Sequence, residues 1–300
     1  MPTASIPDPL LRGRPFQNVT CPYCGASLDS RTITKEHVVG RRFVPVGSLN
    51  NNWNLILWAC LKCNGRKSDL EDDIAAISMH FHTAGLPNMS DSRAQAEALR
   101  RSAKSGSRKT GKAVAASGVK LKMSANLGVH AALTFSFSGP PQFDDERVYE
   151  LARLQMMAFF YFLTYDKVKE LGHFWTGGFY PVHGTIKTDW GNPIHRSFMK
   201  QCQDWDYRLI LNTAEGYYRA LVRRHPTQES WSWAVEWNDS YRLVGYFGNQ
   251  EAAKVLLAEL AHLDVNSVLE GHNSWVRRRV EQPLAENDDT LFVASVAAEA

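Results

Sequence analysis

CPYCGASLDSRTITKEHVVGRRFVPVGSLNNNWNLILWACLKCNGRKSD, residues 21–69, carries two Cys-x-x-Cys pairs, Cys21 with Cys24 and Cys60 with Cys63. Two such pairs supply four thiolates for one tetrahedral Zn²⁺. The first twenty residues are rich in proline and hold no apolar run, so no secretory signal is expected and the chain reads as cytoplasmic, where thiols stay reduced. A structural zinc is therefore preferred to disulfides. Thirty-five residues separate Cys24 from Cys60, more than a compact zinc ribbon contains, so folded structure is expected between the pairs. The fifth cysteine, Cys202, stands alone and reads as a small buried apolar side chain.

Within the stretch, RTITKEHVV offers a β-branched strand with Glu36 and His37 near its end. GRRFVPVGSLNNN is turn chemistry, and WNLILWAC is an apolar strand running into the second cysteine pair. Beyond it, Leu70, Ile74, Ile77 and Phe81 fall at the spacing of an amphipathic helix. The order is strand, loop, strand, helix, bracketed by cysteines.

Read in sequence, Cys-x-x-Cys, Glu36-His37, Asn54-Leu55 and Cys60-x-x-Cys63-Asn64-x-x-Lys67 resemble the HNH endonucleases, over roughly residues 18–82. The resemblance implies a ββα-metal fold: two strands and a helix around one catalytic Mg²⁺ or Mn²⁺, with zinc as a separate structural staple. It implies Glu36 and Asn64 as ligands of the catalytic cation, His37 as general base and Asn54 as the residue that orients His37. Two departures stand out. The acid is Glu36 where Asp is frequent, and the stretch from Asn54 to Cys60 is one residue longer than usual, which leaves Asn52 as the alternative middle Asn.

The chemistry asks for these residue types. Cleaving a phosphodiester needs an activated water and a neutralised phosphate, and a hard cation held by one carboxylate and one amide oxygen provides for both. A histidine with an unperturbed pKa of ~6.5 accepts the water's proton at neutral pH. Lys67, three residues beyond Asn64 on a helix, is expected to contact a phosphate, with Arg41, Arg42 and Arg66 as weaker candidates of the same kind. Among the other histidines, His80 and His82 read as structural or exposed, and His173, His183 and His195 show no ligand spacing.

The net charge of +3 hides an asymmetry. Residues 1–124 hold 18 Lys/Arg against 9 Asp/Glu, and residues 125–300 hold 16 against 22. A basic N-terminal part points to a polyanion partner, nucleic acid. Residues 100–112 contain six Lys/Arg and no acid, which reads as a basic tether or a phosphate grip. No stretch approaches the ~18 apolar residues of a membrane span.

The fold class expected is α+β, with an arm at 1–17, a nuclease domain at 18–88, a helix and basic Ser/Gly-rich linker at 89–118, and a separate α+β domain at 119–300. The last is expected to contain a hairpin from GVKLKMS to AALTFSFS, a long buried helix over about 144–171, a three-stranded antiparallel meander from residue 217 to 248 and a closing helix at 249–262. Seven of the nine tryptophans follow residue 170, favouring an aromatic core over a cage. The function expected is a metal-dependent endonuclease acting on nucleic acid, DNA in preference to RNA, its C-terminal domain a gate answering to a small molecule or protein, as would suit an anti-phage or restriction-like effector. A homodimer would explain double-strand cleavage. The competing expectation is a zinc-containing nucleic-acid-binding protein without catalysis.

Overall fold

The β-branched and apolar segments on either side of the loop pair as expected. β1 (Ile33–His37) and β2 (Ile56–Cys60) run antiparallel, with Ile33 opposite Cys60 and His37 opposite Ile56. α1 (Leu61–Ala84) follows β2 without a break. In this computed structural model the described residues are 5, 7, 13, 15–84, 92–126, 132–263, 267–271, 274–278 and 280–293. The helix cap expected at Ser90 or Asp91, residues 127–130 of the expected ANLGVH turn and the Phe81 side chain lie outside what is described. Leu70, Ile74 and Ile77 are buried, as their spacing requires.

α2 (Ser92–Lys104) packs on α1, and the hairpin β3 (Gly118–Asn126) with β4 (Ala132–Pro141) follows. α3 (Asp145–Leu163) begins at Asp144, whose carboxylate accepts the Arg147 N–H. It ends eight residues before the expected 171. Thr164 Oγ1 donates to the Phe160 carbonyl, and the Asp166 carboxylate then accepts the N–H groups of Val168 and Lys169, which turns the chain.

β5 (Gly178–Ile186), α4 (Pro193–Cys202), β6 (Asp206–Thr213), β7 (Tyr218–Arg224), β8 (Ser230–Trp237), β9 (Tyr241–Gly248) and α5 (Gln250–Ala258) complete the main body, with a short hairpin of β10 (Ser267–Gly271) and β11 (Ser274–Arg278) after it. The expected meander is β7, β8 and β9, widened by β6 and β5 into an antiparallel sheet of order β5-β9-β8-β7-β6. Alternate side chains serve opposite faces. Leu209, Leu211, Val222, Trp233 and Val235 join α3 and the N-terminal segment in one core, while Ile210, Leu221, Ala234 and Val244 pack with Phe198 of α4 and Leu256 of α5 in another. Among the described residues no helix is long and apolar enough to cross a membrane.

Two expectations about organisation are corrected. Residues 18–88 and the C-terminal part do not have separate cores: Val38, Phe43, Leu57 and Ile74 belong to the same buried cluster as Phe159, Trp233 and Trp237. The rings of Phe43 and Trp237 lie 5.4 Å apart, and Asn238 Nδ2 donates to Phe43 O at 3.0 Å and to Ser78 Oγ at 2.8 Å. Two five-residue strands and one helix bury too little surface alone, so they close onto the sheet. Nor is the basic stretch a tether. Arg108 pairs with Asp69 at 2.6 Å, its N–H donates to Asp73, Ser105 Oγ donates to Asp72, and Lys109 Nζ donates to Phe143 O. The acids of α1, distant in sequence, neutralise part of this charge.

On the far face, His183 and His195 are brought within 5.3 Å, ring to ring, which their spacing did not suggest. Burial, helped by His183 and Arg242, holds the His195 pKa well below its ordinary value. Below pH ~6.5 the unfolded chain then binds a proton that the folded chain refuses. Stability from this group is present above ~6.5 and lost as pH falls, at about 1.4 kcal/mol per pH unit. His195→Met is expected to flatten that part of the stability curve, measured by urea denaturation between pH 5 and 7.

Candidate active site

Cys21, Cys24, Cys60 and Cys63 converge, their sulfurs all within 4.8 Å of one another. A tetrahedral zinc with Zn–S of about 2.3 Å sets its sulfurs about 3.8 Å apart, and Cys24 Sγ lies 3.8 Å from Cys60 Sγ. The four thiols are free of disulfides and form a cluster able to hold a metal such as zinc. Gly25 closes the first turn at φ 73°, its N–H donating to Cys21 O. Cys60 ends β2 and Cys63 sits in the first turn of α1, so the cluster fixes where that helix starts. Burial pushes the Cys21 thiol up to about 11 and raises Cys63 as well. A bound cation would reverse this by deprotonating them.

β1 sends Glu36 and His37 to opposite sides, as adjacent strand residues must go. Glu36 faces α1 and is only 2% exposed. Its Oε1 accepts from Tyr23 Oη at 2.9 Å and lies 2.8 Å from Lys67 Nζ. Lys67, 1% exposed, also reaches Glu71 Oε1 at 2.5 Å and His37 O at 3.2 Å. Burial works against the Lys67 charge, but the two carboxylates outweigh it and raise the pKa. Burial raises the Glu71 carboxyl, Lys67 opposing it and Glu36 adding to it. The expectation that Lys67 grips a phosphate is therefore corrected: at helix position 67 the side chain points at β1, where the buried Glu36 demands a counter-charge.

His37 faces the other way, into a cleft of about 490 Å³ lined also by Arg41, Asn50, Asn51, Asn52, Asn54 and Gly13. Its backbone is held from several sides. Lys67 takes the His37 carbonyl, and Glu71 accepts the Gly40 N–H, an approach so close that a Cβ on Gly40 would sit 2.4 Å from Glu71 Oε2. Asn54 is buried and makes both hydrogen bonds to Val39, accepting its N–H at 3.2 Å and donating to its carbonyl at 2.7 Å. Asn54 thus holds the backbone two residues past His37. Asn52, which lines the same cleft, donates its Nδ2 to Asn50 O.

Asn64 lies half-buried, its amide donating to Thr34 Oγ1 at 3.3 Å and Lys35 O at 3.4 Å. The structure thus sets Glu36 and Asn64 on facing elements, with the Lys67 ammonium against Glu36. Arg41 and Arg42 are exposed on the loop after β1, and Arg66 is exposed and paired with Glu150 at 2.9 Å. Tyr23 and Glu71 escaped sequence reasoning. Tyr23, inside the first cysteine pair, carries no local signal of its role, whereas the i,i+4 pair Lys67 and Glu71 is a readable signal that one helical face carries both.

Comparison of the chain with family models, curated proteins and solved structures gives no match.

Asn54→Ala is expected to leave the buried N–H and carbonyl of Val39 without partners, at about 1–3 kcal/mol per group. Asn52→Ala is expected to leave stability within about 0.5 kcal/mol. Paired chemical denaturation curves check both.

Proposed function

We propose that this chain is a metal-dependent endonuclease of the HNH kind, cleaving nucleic acid, DNA in preference to RNA, to 5′-phosphate and 3′-hydroxyl ends. One observation carries the reading: His37 closes β1 at an open polar cleft while Lys67, Glu71 and Asn54 hold the surrounding backbone. A general base must be aimed rigidly and yet meet water and substrate; the fixed backbone and the cleft that His37 lines support that role, with Nε2 itself buried beneath the cleft wall. On this reading β1, β2 and α1 form a ββα-metal unit whose Cys cluster holds structural zinc.

Glu36 and Asn64 would hold Mg²⁺ or Mn²⁺, since a carboxylate and an amide oxygen suit a hard cation and this corner already accommodates the Lys67 ammonium among three oxygens. When bound, the cation supplies charge neutralisation at the phosphate and its leaving oxygen. His37 accepts the proton of the attacking water, and the exposed Arg41, with Arg42 and Arg66 further out, meets the phosphate backbone. Gating by the C-terminal residues would act through the shared core.

The Lys67–Glu36 ion pair favours one other reading, a zinc-containing nucleic-acid-binding module without catalysis. Incubation of the purified chain with supercoiled, linear and single-stranded DNA, in Mg²⁺, Mn²⁺ or EDTA, separates the two. Metal-dependent nicks that a DNA ligase reseals are expected. Binding with no cleavage under any metal would favour the second reading.

A further inference from the structure

The corner between β1 and α1 holds more acid than its own base neutralises. Glu36 and Glu71 are two carboxylates against the single ammonium of Lys67, packed where water is largely excluded. A buried excess of negative charge is costly and attracts any cation able to enter. Three oxygens surround Lys67 Nζ: Glu36 Oε1 at 2.8 Å, Glu71 Oε1 at 2.5 Å and His37 O at 3.2 Å. The ammonium thus already sits in an oxygen-lined seat such as a hard cation takes.

We propose that Lys67 is a built-in placeholder for the divalent cation, released from Glu36 when the ion binds there and retained by Glu71. This rests on the reading of Glu36 as a ligand of that ion. The geometry makes the exchange local. Glu71 lies one turn along the same helix, so Lys67 surrenders one of its three oxygens and keeps the other two. Its remaining bond to the His37 carbonyl keeps β1 in place during the exchange. Tyr23 Oη stays on Glu36 Oε1 and limits the carboxylate's rotation. Without the ion, the ammonium gives the buried Glu36 carboxylate its counter-charge, and the segment carrying His37 is formed before any metal arrives. Glu71 is then a positioning residue that sets how readily Glu36 gives up the ammonium.

Direct Mn²⁺ titration of the full-length, zinc-loaded chain, with free Mn²⁺ followed by electron paramagnetic resonance, tests this without recourse to activity. Glu71→Gln removes the competing carboxylate charge, leaves Glu36 as the ammonium's one charged partner, and is expected to weaken Mn²⁺ binding on the order of tenfold. Lys67→Met removes the competitor and is expected to tighten binding by a similar factor. Because Lys67→Met leaves two carboxylates facing each other, its melting temperature is also expected to rise with Mn²⁺ more than that of the wild type. Should Lys67→Met fail to fold without metal, the near-isosteric Glu71→Gln carries the test. Glu36-dependent Mn²⁺ binding that is unchanged or stronger in Glu71→Gln overturns the placeholder and leaves the ligand role of Glu36 standing. Mn²⁺ binding that survives intact in Glu36→Gln, or no binding by the wild type at all, overturns both.

Discussion

Cys60→Ser is expected to release the structural metal and unfold the N-terminal segment, and with it much of the chain. Cys60 ends β2 opposite Ile33, and Cys63 lies in the first turn of α1, so a metal held by the cluster would tie a strand pair to a helix start. The two strands have five residues each and form a two-stranded ladder, extended by a single bridge from Pro15 to Ile56. A two-stranded ribbon of that size is marginal in water. Structural zinc in small domains supplies about 10–16 kcal/mol at neutral pH, comparable to the whole stability of a typical domain, about 5–15 kcal/mol. The damage should spread, because Val38, Phe43 and Leu57 share a core with Trp237. Elemental analysis is expected to find one zinc per wild-type chain and none in Cys60→Ser, with a fall in melting temperature large enough to see by circular dichroism. Cys202, buried and far from the cluster in sequence, serves as the control: Cys202→Ala should retain its zinc. A zinc-free Cys60→Ser protein that melts like the wild type would end the structural-metal reading.

His37→Ala is expected to lower cleavage by about 10²–10⁴-fold, the range that a positioned general base contributes. The side chain points into the cleft and is only half-buried, while the backbone contacts that fix this segment come from Lys67, Glu71 and Asn54. Those contacts survive the substitution, so zinc content and fold should be retained. The same variant should keep its affinity for DNA in EDTA, since the phosphate contacts assigned to Arg41, Arg42 and Arg66 do not involve the imidazole. Equal cleavage by His37→Ala and wild type would remove His37 from the chemistry. A loss of cleavage accompanied by loss of zinc or of melting cooperativity would reassign His37 to structure.

Much of the arrangement was legible in the sequence because it follows from local chemistry. Alternation and β-branching placed β1 and β2, and the spacing of Leu70, Ile74 and Ile77 placed α1 and its buried face. The paired cysteines announced their own convergence, and the meander was marked by the turns around PTQE and NDS. The end of α3 was misplaced because Asp166 offers the backbone a turn that apolar periodicity does not register. The basic stretch after α2 was misread for a related reason. Its partners, Asp69, Asp72 and Asp73, lie some thirty residues upstream and become neighbours only once α2 packs on α1.

The cluster around Glu36 shows the same division most sharply. That Glu36 and His37 would part to opposite sides of a strand was determined by the sequence, since successive residues of an extended chain alternate. So was the shared helical face of Lys67 and Glu71, because four residues make about one turn. Whether Lys67 meets solvent or acid depends on how α1 is rotated against β1, a rigid-body quantity that no local pattern encodes. Tertiary packing decided it, turning a surface lysine into a buried counter-ion because a carboxylate sealed between strand and helix needs a charge within reach more than a distant phosphate does.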